Sequence, residues 1–201
     1  LLPAKTYLIS LFILVVGVTL FAGTQIEARH RVQSDESVFL SLAQNMFHNH
    51  VSGTCNQGEF EQGQLKCYVN SNSFKTKGLS YLYFLGIGLF GTDLHWAFNA
   101  QLFALALTTL LFFFALLAWT RSPSFSLLAT ALLVLQPTLL FQFRSLSVEP
   151  LYILLFSLSL LLVRFAFEYN TWKHWVFAAL VLAFFAQTRQ ETVFCLLAFF
   201  I

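Results

Sequence analysis

Apolar residues along this chain fall into long blocks separated by short polar punctuation. Residues 6–26 run without a charge. A second block, 94–120, ends at Arg121, Ser122 and Pro123. A third covers 124–142, a fourth 148–167 and a fifth 172–188, and 192–201 begins a sixth. Stretches of about 20 apolar residues match the ~30 Å hydrocarbon core of a bilayer when helical, and a helix satisfies its own backbone hydrogen bonds there. The first block is too long for the apolar region of a signal peptide and is followed by further spans, so it reads as an uncleaved span. Pro137 predicts a kink in the third. The sixth is about half a span, and the one Met is Met46, so the chain is expected to be the N-terminal part of a longer protein.

Residues 79–90 behave differently. A 12-residue helix is ~18 Å long, short of the hydrocarbon core. Gly86, Gly88 and Gly91 weaken it further as a span. It is expected to lie at the interface or to be re-entrant. Charge supports this: with 79–90 not crossing, Lys5, Arg121, Arg164 and Lys173 share the inner side, and the short outer turns keep Arg144 and Arg189. The expected fold is therefore all-α, a polytopic transmembrane helical bundle. Residues 27–93 form one large external loop with juxtamembrane helices after the first span. Glu168, four residues from Arg164, is the acidic residue left on the inner side, where it serves as counter-charge to a snorkelling Arg.

Composition agrees. Hydrophobic residues make up 58% and charged residues 10%, too few charges to cover a water-soluble globule. A net charge of +2 from scattered Lys and Arg argues against nucleic-acid binding. In the external loop Cys55 and Cys67 could form a disulfide, which would require an oxidising compartment. Such a loop closure would stabilise by ~3 kcal/mol; two free thiols are the alternative. Cys195 lies in an apolar stretch and reads as packing.

The loop also holds the candidate chemistry. Ser34-Asp35-Glu36 precedes a segment of helical periodicity, with Val38, Leu42 and Met46 in one row and Phe39, Ala43 and Phe47 in the next. Ser34 is placed to cap it. Two acids in a first turn favour the helix dipole whether or not they do anything else. Lys75 and Lys77 precede the short apolar run, as phosphate ligands or as snorkelling anchors. Arg144 and Glu149 flank the turn before the fourth span, and Pro150 suits that helix's first turn. Arg189 and Glu191 repeat the Arg and Glu pattern. His30, His48 and His50 have no metal-ligand spacing. Walker, G-x-G-x-x-G and G-x-S-x-G sequences are lacking.

In order and spacing these residues resemble the GT-C superfamily of integral membrane glycosyltransferases, in its protein O-mannosyltransferase and lipid A aminoarabinose transferase branch. The acidic pair that opens that family's first external loop is matched by Asp35-Glu36. Its Lys-Pro-Pro-type motif resembles Lys77-Gly78-Leu79, without the prolines. Its Arg-x-x-x-x-(Asp/Glu)-(Pro/Ala) turn resembles residues 144–150, and its Thr-Arg-Pro-Glu turn resembles Thr188-Arg189-Gln190-Glu191, with Gln190 for Pro. The likeness covers essentially the whole chain, 1–201, as the N-terminal part of such a transmembrane domain.

What the resemblance implies is inverting transfer of a sugar from a polyprenyl-phosphate or dolichyl-phosphate donor to an external glycan, lipid or protein acceptor. The active site would face the periplasm or exterior of a plasma (inner) membrane. A phosphate leaves readily without a general acid, so cations stabilising its developing charge suffice, from among Lys75, Lys77, Arg144 and Arg189. Asp35 matches the base that takes the acceptor's proton, Glu36 would orient it, and Glu149 and Glu191 would support. No cofactor is fixed by these motifs; a divalent metal is compatible with the donor's phosphate. A secondary transporter would also set charges near a membrane site, but usually with buried acids in mid-span or paired broken helices; the strong polar residues in these spans are mainly Asn99, Gln101 and Gln136. A non-catalytic membrane assembly protein of the same fold is the other alternative.

Overall fold

The computed structural model describes residues 3–26, 34–50, 54–61, 64–70, 78–91, 95–189 and 192, with the backbone alone at 34–37, 54–61 and 64–70. Helix α1 (Ala4–Thr24) is followed by α2 (Ser34–His48), strands β1 (Thr54–Glu61) and β2 (Gln64–Asn70), and α3 (Gly78–Phe90). Five more helices follow: α4 (His95–Thr120), α5 (Pro123–Val134), α6 (Pro137–Phe143), α7 (Glu149–Tyr169) and α8 (Trp172–Ala186). Three of these, α1, α4 and α7, are long and apolar enough to cross a membrane, and α5 with α6 makes a fourth if that bent pair is one span. This is the make-up of a multi-pass membrane protein.

The elements begin and end where local chemistry dictates. Ser122 caps α5 by accepting from the Phe125 N–H at 3.4 Å, with Pro123 opening the helix. Pro137, lacking an N–H, opens α6 after a 66° break, so the expected kink is a division into two helices. Asn170 ends α7 in a left-handed conformation (φ 45°, ψ 38°), one that Asn tolerates better than most residues. Pro150 lies in the first turn of α7, as expected. Two boundaries differ from the sequence reading. Ser34 is already helical, so it is the first residue of α2 and not its cap. Helix α8 stops at Ala186, and the turn at Gln187 and Thr188 completes the return along α7. The part-span at 193–201, including Cys195, lies outside the described residues.

The segment between α1 and α4 is not wholly helical. β1 and β2 form an antiparallel hairpin, with Glu61 opposite Gln64 and an irregularity between Cys55 and Gln57. The register sets Cys55 opposite Val69 and Cys67 opposite Gly58, so the two cysteine positions are diagonal neighbours. Their side chains lie outside the described residues, and the disulfide stays an expectation.

Small and hydroxyl side chains line the helix contacts. Ala104, Thr108 and Ala115 of α4 and Ser157, Ser159 and Ala166 of α7 are all buried. Such residues let helices approach closely in lipid, where the hydrophobic drive between helices is lost. Outward, α1 exposes Leu8, Ile9, Phe12, Ile13, Leu20 and Phe21.

The two ends of the bundle differ in chemistry. At one, the Tyr7 hydroxyl lies 2.7 Å from Ser124 Oγ, and Arg164 donates to the Ala118 carbonyl at 3.0 Å and pairs with Glu168 at 3.4 Å. Arg164 thereby satisfies one carbonyl near the end of α4, which sequence alone did not assign to it. Trp119, Trp172 and Trp175 stand exposed on the helix ends that meet there. Exposed Trp beside cations is the pattern of a membrane boundary. At the other end lie α2, α3 and the two turns that carry Arg144 and Arg189.

Candidate functional site

A buried apolar cluster assembles that second end. Phe39, Leu40 and Ala43 of α2 meet Leu79, Tyr83 and Ile87 of α3, with Ala97, Leu146, Val148, Leu151 and Phe185. The α2 stripe holds as expected: Phe39, Leu42, Ala43 and Met46 are buried and Gln44 is exposed. Leu40 joins it, while Phe47 stays 37% exposed at the edge. On α3 the buried face is Leu79, Ser80, Tyr83, Gly86 and Ile87, and the opposite face exposes Leu82, Leu85, Leu89 and Phe90. A helix apolar on both faces does not suit bulk water. Its first residue meets the turn after α8, and the Trp96 indole at the start of α4 donates to the Gly91 carbonyl at 3.1 Å. Both ends of α3 are thus held at one end of the bundle, and at 13 residues α3 is shorter than the helices long enough to span a membrane.

Five contacts bring the sequence-predicted segments together. Ser80 Oγ donates to the Phe39 carbonyl at 3.2 Å, and Phe47 meets Phe84 at 6.1 Å, so α2 and α3 run side by side in the same direction. Their first turns are therefore adjacent. Asp35 and Glu36 belong to the first turn of α2, and Lys77 immediately precedes α3. The Gly78 N–H donates to the Gln187 carbonyl at 3.0 Å. A Cβ on Gly78 would lie 2.9 Å from that carbonyl oxygen and 3.1 Å from Thr188 Cγ2, so only glycine permits this approach. Across the same turn Arg189 pairs with Glu149 at 3.2 Å and lies 5.8 Å from the Tyr152 ring.

The ion pair joins two turns that the sequence reading kept apart. Glu149 pairs with Arg189 and not with its chain neighbour Arg144. As the first residue of α7, Glu149 also favours that helix's dipole. The pair is about one-third exposed on each side, so water and solutes reach it. Arg144 turns toward α1, with Nη1 3.3 Å from Gln25 Oε1 and its guanidinium 5.4 Å from the Phe141 ring. Arg144 and Arg189 are thus held by different elements. The side chains of Asp35 and Glu36, and residues Lys75, Lys77 and Glu191, lie outside the described residues.

Two residues that sequence reading did not assign to the site organise it. The Tyr83 hydroxyl donates to the Leu146 carbonyl at 3.1 Å and accepts from Gln101 Nε2 at 3.3 Å. Gln101 also donates to the Ser147 carbonyl at 3.2 Å. This buried clamp ties α3 and α4 to the turn between Arg144 and Glu149. The one signal in the sequence was an amide, Gln101, inside an apolar block. Tyr83→Phe removes both hydroxyl bonds and is expected to cost ~1–3 kcal/mol, read as a lower melting temperature in detergent. An unchanged melting temperature would mean that the clamp contributes nothing.

Chemically, the arrangement sets the first turn of α3 against the turn that leads to Arg189, with α2 beside α3 and Arg189 paired to the first residue of α7. Helix N-termini carry unsatisfied N–H groups and positive partial charge, and with a guanidinium they favour an anion. Comparison of the chain with protein-family models, with curated proteins and with solved structures finds no match.

Proposed function

We propose that this protein is a membrane glycosyltransferase of GT-C type, moving a sugar from a polyprenyl-phosphate donor to an acceptor on the external face of the plasma membrane. The observation that carries this reading is the convergence of the first turns of α2, α3 and α7 with Arg189 at one end of a membrane bundle. A lipid-linked phosphate lies at headgroup depth, where such an end meets the boundary. In this reading Arg189, with Lys75 and Lys77, stabilises the departing phosphate, and Glu149 fixes the direction of the Arg189 guanidinium. Asp35 takes the proton of the acceptor hydroxyl as its oxygen attacks the anomeric carbon and the carbon–phosphate oxygen bond breaks, inverting that centre in one displacement. The positive residues Lys5, Arg121, Arg164 and Lys173 then face the cytoplasm.

The test is transfer of radiolabelled sugar from a polyprenyl-phosphate donor by the full-length protein in membranes. Arg189→Gln is expected to reduce donor use by ~10²–10³-fold, as loss of a preorganised charge-stabilising group does. Arg189→Lys should restore part of it. A wild-type protein that is folded, inserted and supplied with acceptor membranes, yet uses no lipid-linked donor, would put the transporter or assembly-protein reading ahead.

A further inference from the structure

The 66° break between α5 and α6 leaves a lateral groove between α6 and α1, with a volume of about 520 Å³. Gly17, Val18 and Phe21 form one wall, Leu140 and Phe141 the other, and Arg144 stands at its end. Phe21 is 56% exposed and Phe141 44%, so no described residue roofs the groove. Its walls are apolar along their length, which suits a hydrocarbon chain.

The cation at its end is incompletely satisfied. Arg144 Nε is buried without a hydrogen-bond partner, and Nη1 makes one long contact with the neutral Gln25. Among the described residues no carboxylate pairs with Arg144, and none lines the groove. A guanidinium half-withdrawn from water without an anion is unfavourable. A phosphate oxygen pair fits its planar fork, and one acyl chain fits the walls below it.

We propose that this groove is a binding site for a phospholipid of net negative charge, its phosphate on Arg144 and one acyl chain between Phe21 and Phe141. The groove lies at the same end of the bundle as the Arg189–Glu149 pair but between other elements, α1 and α6, and the site stands whether or not the protein transfers a sugar. A lipid seated there would hold α1 against the broken span.

The experiment is native mass spectrometry of the full-length protein released from vesicles of mixed phosphatidylcholine and phosphatidylglycerol. Wild type should retain phosphatidylglycerol in preference to phosphatidylcholine. Arg144→Gln should lower that retention by about tenfold or more, as expected for loss of a charge-assisted bidentate contact. Gly17→Leu gives a second variant, because Gly17 lines the groove and a Cβ there meets nothing within 4 Å. It should lower retention with an unchanged melting temperature, and it decides the matter if Arg144→Gln does not fold. Equal retention by wild type and variants, or no retained phospholipid, would overturn the site. A retained polyprenyl phosphate that is lost on Arg144→Gln would overturn it differently, by making the groove the donor's own seat, with sugar transfer itself intact in wild type.

Discussion

Asp35→Asn is expected to lower sugar transfer by ~10²–10⁴-fold, the contribution of a positioned general base. Asparagine keeps the size of aspartate and its ability to accept a hydrogen bond from the acceptor, but it does not take the proton. As one of two acids in the first turn of α2, Asp35 also favours the helix dipole. That role alone is worth ~0.3–1 kcal/mol, so expression, insertion and melting temperature should change little. The two roles therefore separate in one variant: a large loss of transfer with small loss of stability marks a base, and a small loss of both marks a dipole partner. Glu36→Gln supplies the comparison. An orienting residue should show a smaller loss than the base. Near-wild-type transfer by Asp35→Asn would remove Asp35 from the mechanism.

Gly78→Ala should be destabilising, against the ordinary helical preference for alanine. Its Cβ would meet the Gln187 carbonyl oxygen at 2.9 Å and carbon at 3.1 Å, and these are backbone atoms that do not swing aside. The first turn of α3 must then part from the turn after α8, straining the 3.0 Å Gly78 to Gln187 hydrogen bond. Overpacking of this kind costs ~1–3 kcal/mol. Transfer should suffer more than stability, because Lys75 and Lys77 enter α3 through this glycine, and a displacement of ~1 Å at a reacting centre costs ~10²-fold. Gly88 of the same helix is the control. Its Cβ would meet only Phe47 Cε2 at 3.4 Å, an ordinary contact at the edge of a side chain. Gly88→Ala should therefore be neutral or raise the melting temperature, since alanine is favoured over glycine by ~1 kcal/mol in a helix interior. If both variants changed stability in the same direction and by similar amounts, the close approach at Gly78 would not govern the site.

Three spans were readable because their apolar blocks are long, whereas the fifth block, 172–188, yields α8 of 15 residues, shorter than a span. Residues 6–26, 94–120 and 148–167 each fall within two residues of α1, α4 and α7 at either end. That α3 is a short helix, 13 residues long, was readable from the length of its apolar run. The hairpin was not read, although Gly63 lies between Phe60 and Leu65, with Tyr68 and Val69 beyond. Its short strands are too polar and irregular for the alternation that marks a half-buried strand. The Pro137 kink was expected, but not the division into α5 and α6, since a proline fixes where a helix breaks and neighbouring helices fix by how much.

Sequence by itself determined that this chain has several helices apolar enough to span a membrane, where the three long ones lie, and that its charges fall between the apolar blocks. Those properties follow from hydrophobic length, proline and charge, which act locally. The tertiary structure decided which segments meet. It paired Glu149 with Arg189, turned Arg144 toward α1 and the groove beside α6, and made Gly78 the point where α3 touches the turn after α8. Partner choice between turns depends on how helices cross and how closely their backbones approach. Such geometry is set by packing over many residues at once, and no spacing along the chain encodes it.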